Sequence, residues 1–202
     1  MDVRYICDKI WPIVCEHKGG QHVEIEMRLG KFNGKMFDTN VGKTSFDKIL
    51  IGLRKYSEWE KIVNTDSEVF YRNDGFRKSV DETTGEETIV QKERVWNEDF
   101  NKIDGAPYDV RFSVSKEYPL PPNTNLEMDK KKTKNRMSFV RKNISIDMTV
   151  CTGDSYDKDA EELTTYQIEL EIIDPMCIHT KNEMFNIVHK IKDLFNLLDT
   201  NI

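Results

Sequence analysis

No stretch of the 202 residues approaches the ~20 consecutive apolar positions that a membrane-spanning helix needs. The opening Met1-Asp2-Val3-Arg4 lacks the basic start and long apolar run of a secretory signal. An intracellular, non-secreted protein without a membrane partner is expected, so the glycosylation pattern at Asn143-Ile-Ser145 carries no weight. Cysteine is sparse: Cys7, Cys15, Cys151 and Cys177 are scattered without any CxxC pair. They are expected to be reduced and mostly buried. Cys15, His17 and His22 form a loose group, but no second cluster has the spacing of a zinc site. An excess of positive charge is also missing. A net charge of −6 excludes a surface that attracts nucleic acid as a whole, although 30 Lys and Arg leave room for a local basic patch. A phosphate loop is absent too. Gly42-Lys43-Thr44 invites that reading, but the motif needs a glycine where Phe37 stands. Nor does the acid spacing of Gly153–Glu162 match a calcium-binding loop. No repeat or linker divides the chain, and one domain over residues 1–202 is expected.

What is present is alternation. From His22 to Gly30, Val23, Ile25, Met27 and Leu29 fall on one side of a strand, and Glu24, Glu26 and Arg28 on the other. Such a charged face is either solvated or holds a cation. Asn33-Gly34 signals a two-residue hairpin after it. Strands are predicted over Glu68–Arg72, Phe76–Val80, Thr88–Trp96, Asp109–Glu117, Lys131–Val140, Ile144–Cys151 and Thr164–Ile173. Asn73-Asp74-Gly75, Thr83-Thr84-Gly85 and Asp104-Gly105 supply turns. Residues 118–130, with Pro119, Pro121 and Pro122, cannot form a central strand. Helical spacing predicts helices at 3–16, 45–56 and 181–198. Pro12 is expected to kink or shorten the first, and Ser45 to cap the second.

The strands share a pattern. Arg77 and Ser79 occupy one face, as do Lys92 and Arg94; Arg111, Ser113, Ser115 and Glu117; Lys132, Lys134, Arg136 and Ser138; Ser145, Asp147 and Thr149; and Gln167, Glu169 and Glu171. Charge is sorted: acidic pairs on the first and last strands, basic sets between them. A solvated surface usually mixes its signs. If the helices cover the apolar side of a curved sheet, these faces point into a barrel lumen. Two carboxylates ~5 Å apart repel by roughly 3 kcal/mol at an effective dielectric near 20. A divalent cation would relieve that repulsion. Carboxylates without Cys or convergent His favour magnesium or manganese, and a polyanion would match the basic strands. Metal beside polyphosphate suggests phosphoryl transfer to water. The Trp59, Trp96, Tyr and Phe positions read as core or barrel exterior, and His179 and His189 as surface or helix positions.

Glu24-Ile-Glu26 near the start and Glu169-Leu-Glu171 near the end, flanking a series of basic strands, resemble the triphosphate tunnel metalloenzymes. Within them the chain is most similar to the metal-dependent RNA 5′-triphosphatases of fungi, protozoa and large DNA viruses. The resemblance covers roughly residues 22 to 173. It implies an α+β, mainly antiparallel fold: a closed β-barrel of about eight strands with helices packed outside. It implies removal of the γ-phosphate from 5′-triphosphate RNA in the first step of mRNA capping, with metal-dependent NTP hydrolysis beside it. By position, Glu24, Glu26 and Glu171 match metal ligands for Mg2+ or Mn2+. Glu169 matches a supporting carboxylate, and Glu117 one that orients water. Arg77, Lys92, Lys134 and Arg136, with Arg94 beside Lys92, match phosphate-holding side chains. Lys132 and Asp147 match a supporting base and acid, read as a salt-bridged pair. An RNA guanylyltransferase, separate or fused, is the implied partner. If the protein is viral, host cytoplasm or nucleus is the implied location. Two departures stand: Gln167 replaces a frequent glutamate, and Arg28 replaces the lysine of the thiamine- and inorganic-triphosphatase branch. Two other readings remain open, an inorganic or thiamine triphosphatase and a non-enzymatic polyanion-binding β-domain.

Overall fold

Period-two alternation closes into a barrel in the computed structural model, which describes residues 2–101, 105–121, 124, 126–153 and 164–199. In chain order the elements are α1 (Val3–His17), β1 (Val23–Phe32), β2 (Phe37–Asp38), α2 (Lys43–Lys55), β3 (Lys61–Tyr71), β4 (Phe76–Asp81), β5 (Glu87–Phe100), β6 (Asp109–Leu120), β7 (Lys130–Arg141), β8 (Ile144–Gly153), β9 (Thr165–Ile172) and α3 (Lys181–Asp199). A short 3-10 turn, Pro175–Cys177, precedes α3. The strands run in the order β1-β6-β5-β4-β3-β7-β8-β9, and β9 pairs back onto β1. Every pairing is antiparallel, and β2 is a short appendage on β1. Closure matters because an open sheet would leave β1 and β9 as unpaired edges.

The apolar faces of β1, β6, β8 and β9 point outward and lie beneath the helices. Ile25, Val110, Phe112 and Val114 are fully buried there, in one cluster with Ile10 and Val14 of α1, Ile49 of α2 and Val188 and Ile191 of α3. Each such side chain contributes about 1.5–3 kcal/mol of burial. Phe112 sits near the centre and packs edge-on against Trp96, with centroids 5.7 Å apart. Removing its ring should cost about 3–5 kcal/mol. Trp59 packs likewise on Phe139, at 5.4 Å. His189 is a surface position on α3, beside Asp193.

Several expectations need correction. Helix α1 runs through Pro12 to His17, because Pro12 and the Asp8 whose carbonyl it leaves unpaired both face solvent. Helix α2 starts two residues before Ser45; its cap is Gly42 at φ 74°, without a side-chain hydrogen bond, and Ser45 Oγ instead accepts from Tyr108 Oη at 2.7 Å. The loop after β1 has four residues, not two: Phe32 pairs with Phe37, and Asn33 Oδ1 accepts from the amides of Lys35 and Met36. Strand β6 continues through Pro119 to Leu120. Beyond Lys116 it has lost β1 as a neighbour, so the missing amide of Pro119 faces no partner strand. Cys7 and Cys151 are buried, but Cys15 and Cys177 are exposed. Asp104 and most of Gly153–Glu162 lie outside the described residues.

Strand β5 holds a feature that plain alternation misses. Its register against β6 shifts between Arg94 and Trp96. Arg94 pairs with Ser115, Trp96 with Val114 and Asp99 with Arg111. The extra residue, Val95, exchanges the faces, so Lys92 and Arg94 point inward while Trp96 points outward. Asp99 then faces inward beside Arg111.

Candidate active site

All the polar faces predicted from alternation point into the barrel. The lumen contains a cavity of about 310 Å³ whose walls include Glu24, Glu26, Glu117, Glu169 and Glu171 with Arg77, Lys92, Lys134 and Arg136. Register explains the convergence. Glu26 stands opposite Glu171 and Arg28 opposite Glu169 where β1 meets β9. Asp147 stands opposite Glu169 across β8–β9, and Lys92 opposite Glu117 across β5–β6.

Three knots of charge result. Lys92 Nζ contacts Glu24 and lies 3.3 Å from Glu117 and 3.6 Å from Glu26. Ser115 Oγ also donates to Glu24, at 2.8 Å. Burial would push the Glu24 carboxyl up, but Lys92, the Ser115 hydrogen bond and Arg77 hold it below its usual range. Arg77 donates to Glu117 at 2.5 Å. In the second knot, Arg28 donates to Glu26 at 2.9 Å, and its Nε lies 2.9 Å from Glu169 Oε1 as an ion pair without hydrogen-bond alignment. Burial alone would lower the Arg28 pKa; the carboxylates of Glu169, Glu26 and Glu24 raise it instead. Glu26 is pushed up by burial, with Arg28 opposing and Glu169 adding to the rise. In the third, Arg136 donates to Thr149 at 3.0 Å, Asp147 at 3.0 Å and Glu169 at 3.2 Å. Burial works against ionised Glu169, yet Arg28 and Arg136 bring its pKa down to about 2.

Glu171 differs from the rest. Among the described residues it has no ion pair and no hydrogen bond. Burial, with Glu24, Asp147 and Glu26 nearby, pushes its pKa up to about 7. A half-buried carboxylate among carboxylates, with only Arg136 opposing the rise, is short of positive charge. The donors around it are oxygens, with no histidine or cysteine among the lumen walls. That set fits a hard divalent cation. Among the described residues no three potential ligands stand pre-gathered as a cage, because Glu24 and Glu26 are turned toward Lys92 and Arg28.

Placement of the remaining residues is uneven. Lys132 shares the inward face of β7 but does not pair with Asp147, which accepts from Arg136 and Ser145 instead. They stand six residues apart in the ladder, since Asp147 pairs with Ser138 and Lys132 with Gly153. Lys134 makes no ion pair among the described residues; its ammonium lies over the Tyr71 ring, 5.7 Å from the centroid. Tyr71 was not among the residues singled out from sequence, although its place opposite Arg77 in the β3–β4 hairpin was open to inference.

Residues 56–202 match the family model described as mRNA capping enzyme, beta chain. The chain belongs to that family. The mRNA capping enzyme beta chains are RNA triphosphatases, so this protein is a phosphohydrolase. The match starts after β1, so Glu24 and Glu26 lie outside it and are tied to the family region by the β1–β9 pairing. No curated protein sequence matches the chain. The fold is similar to two structures of S. pombe Pct1 RNA triphosphatase. One, in complex with the Spt5 CTD, is 18% identical at a TM-score of 0.76, covering 97% of this chain and 92% of that one. The other is 20% identical at a TM-score of 0.68, covering 98% and 88%. At such identities the likeness is one of fold.

Proposed function

We propose that this tunnel removes the γ-phosphate from 5′-triphosphate RNA ends, the first step of mRNA capping, with Mg2+ or Mn2+ held by Glu24, Glu26 and Glu171. The observation that carries the reading is Glu171, half-buried, without an ion pair among the described residues and directly opposite Glu26. When bound, the metal supplies Lewis-acid polarisation of the phosphoryl oxygens and neutralises charge gathering on them. The protein's own residues do the rest. Arg77 and Lys92 hold Glu117 from two sides, which leaves its carboxylate aimed into the lumen to orient a water and accept its proton. Substrate entry lets Arg77 and Lys92 exchange carboxylate partners for phosphate oxygens. Lys134, without an ion pair among the described residues, is free to meet phosphate. Asp147, Thr149 and Glu169 clamp Arg136, so its guanidinium is oriented before substrate arrives. Lys132 adds positive charge further along β7.

The product, a 5′-diphosphate RNA end, is the acceptor that a guanylyltransferase uses, which makes such an enzyme the partner, separate or fused. NTPs present the same triphosphate and are expected to be hydrolysed as well. Phosphate release from 5′-triphosphate RNA, with and without Mg2+ or Mn2+, tests the reading. Alanine at Glu24 or Glu171 should abolish metal-dependent release while the fold survives; full activity in either variant would overturn the metal assignment.

A further inference from the structure

The tunnel is polar along its axis. On β1, Glu24 and Glu26 precede Arg28; on antiparallel β6, Arg111 precedes Glu117; on antiparallel β9, Gln167 precedes Glu169 and Glu171. Acids therefore gather toward the end where β1 starts, and cations toward the end made by the β3–β4 turn. A second cavity of about 280 Å³ opens at that turn and joins the first at Glu26, Arg28, Arg77 and Lys92. Among the described residues, Glu26 is the one carboxylate on its walls.

The walls of this mouth are built from planes. Arg72 pairs with Asp74 and lies over the Phe76 ring at 4.4 Å. Arg111 is held by both oxygens of Asp99, at 2.6 and 2.7 Å, and lies over Phe37 at 4.7 Å. These guanidiniums are neutralised by their acids, so they offer flat faces rather than net charge. Gly75 lets the turn close tightly: a Cβ there would stand 2.5 Å from the Lys92 carbonyl oxygen, and its φ is +92°. Arg94, across the mouth, is exposed and makes no ion pair among the described residues. Its charge is uncommitted.

A bare polyphosphate needs only dense positive charge and metal. A nucleotide adds a flat base and, beyond it, phosphodiesters of single charge. We propose that the 5′ nucleoside and the following phosphodiester of the RNA occupy the mouth at the β3–β4 turn, with the γ-phosphate directed toward the acidic end, and that Arg94 selects RNA over bare polyphosphate by binding that phosphodiester. This rests on the RNA 5′-triphosphatase reading above. It assigns Arg94 to the RNA chain rather than to the transferred phosphate.

The test compares wild type and Arg94→Ala on 5′-triphosphate RNA and on inorganic tripolyphosphate, with metal present. Arg94→Ala should lower kcat/KM on RNA about tenfold more than on tripolyphosphate, the worth of one charge-assisted contact near 1.4 kcal/mol. The effect should lie in KM, and the salt dependence of KM for RNA should flatten by about 0.7 in log–log slope. A 5′-triphosphate oligonucleotide with 4-thiouridine at its first position should crosslink to Tyr71 or Phe76 in the wild type. Equal losses on both substrates would leave the RNA reading standing and overturn the assignment of Arg94. Crosslinks at His22 and Tyr118, beside the acidic end, would reverse the polarity. A wild type that hydrolyses tripolyphosphate but not RNA would end the substrate reading and this inference with it.

Discussion

Glu26 and Glu171 face each other across the seam where β9 closes onto β1. Glu26 has Arg28 as its partner at 2.9 Å, whereas Glu171 has none among the described residues. The seam thus joins a neutralised carboxylate to one short of positive charge.

That imbalance sets a pH dependence. Folding raises the Glu171 pKa from 4.5 to about 7. The folded state therefore holds this proton more tightly than the unfolded chain, and stability is greatest below the ordinary carboxylate value. It falls as pH rises through the window up to about 7, by about 3 kcal/mol in all. The melting temperature of metal-free protein should decline between pH 5 and pH 8. Glu171→Gln should flatten the decline and raise the melting temperature at pH 8, while eliminating phosphate release. Added Mg2+ or Mn2+ should stabilise the wild type at pH 8 and not the variant.

Glu169 behaves in the opposite sense. Its pKa is brought down to about 2, so its contribution is present above the ordinary carboxylate value and lost as pH falls through about 2. Glu169→Ala leaves Arg28 and Arg136 facing each other without the shared acid, and should cost about 3–5 kcal/mol in denaturant titrations near neutral pH. Repeating the titration in acid should narrow the gap between variant and wild type.

Glu117→Gln keeps the shape of the side chain but cannot accept a proton. A fall in kcat of about 100-fold or more, with KM for RNA changed little, is expected in steady-state assays. Arg77→Ala frees Glu117 to turn. The double variant should therefore lose less than the product of the two single losses.

Deletion of Val95 tests the bulge in β5. With the extra residue gone, Arg94 is followed directly by Trp96, so plain alternation keeps Arg94 and Asp99 inward and Trp96 outward. A folded, cooperatively unfolding protein is the expected outcome, followed by circular dichroism on heating. Val95→Ala keeps the bulge and trims only its side chain, separating register from side-chain packing.

Much of the site was legible in order along the chain. Alternation alone put Glu24, Glu26, Lys134, Arg136, Asp147, Glu169 and Glu171 on the polar sides of their strands, because side chains in a strand have only two directions available. Ends and pairings were harder. Pro119 excludes a central strand, and β6 runs through it only where β1 is no longer a neighbour, so the strand ends three residues later than expected. The family resemblance paired Asp147 with Lys132, but the register brings Arg136 within 3.0 Å of it and leaves Lys132 further along β7. Val95 has nothing in its neighbourhood to mark it as the bulged residue, since a bulge is a relation between two strands.

Up to the bulge in β5, the sequence by itself determined which residues face the tunnel and which face the helices, because hydrophobic periodicity is a local property of each strand. It also determined the supply of charge: acids on the first and last strands, bases between. Only the tertiary structure decided which charges neutralise one another. Closure of β9 onto β1 brings Glu171 beside Glu26 across some 145 intervening residues, and β7 and β8 deliver Arg136 to Glu169 rather than to Glu171. Electrostatic energy depends on distance in space and on burial, neither of which the order of residues contains.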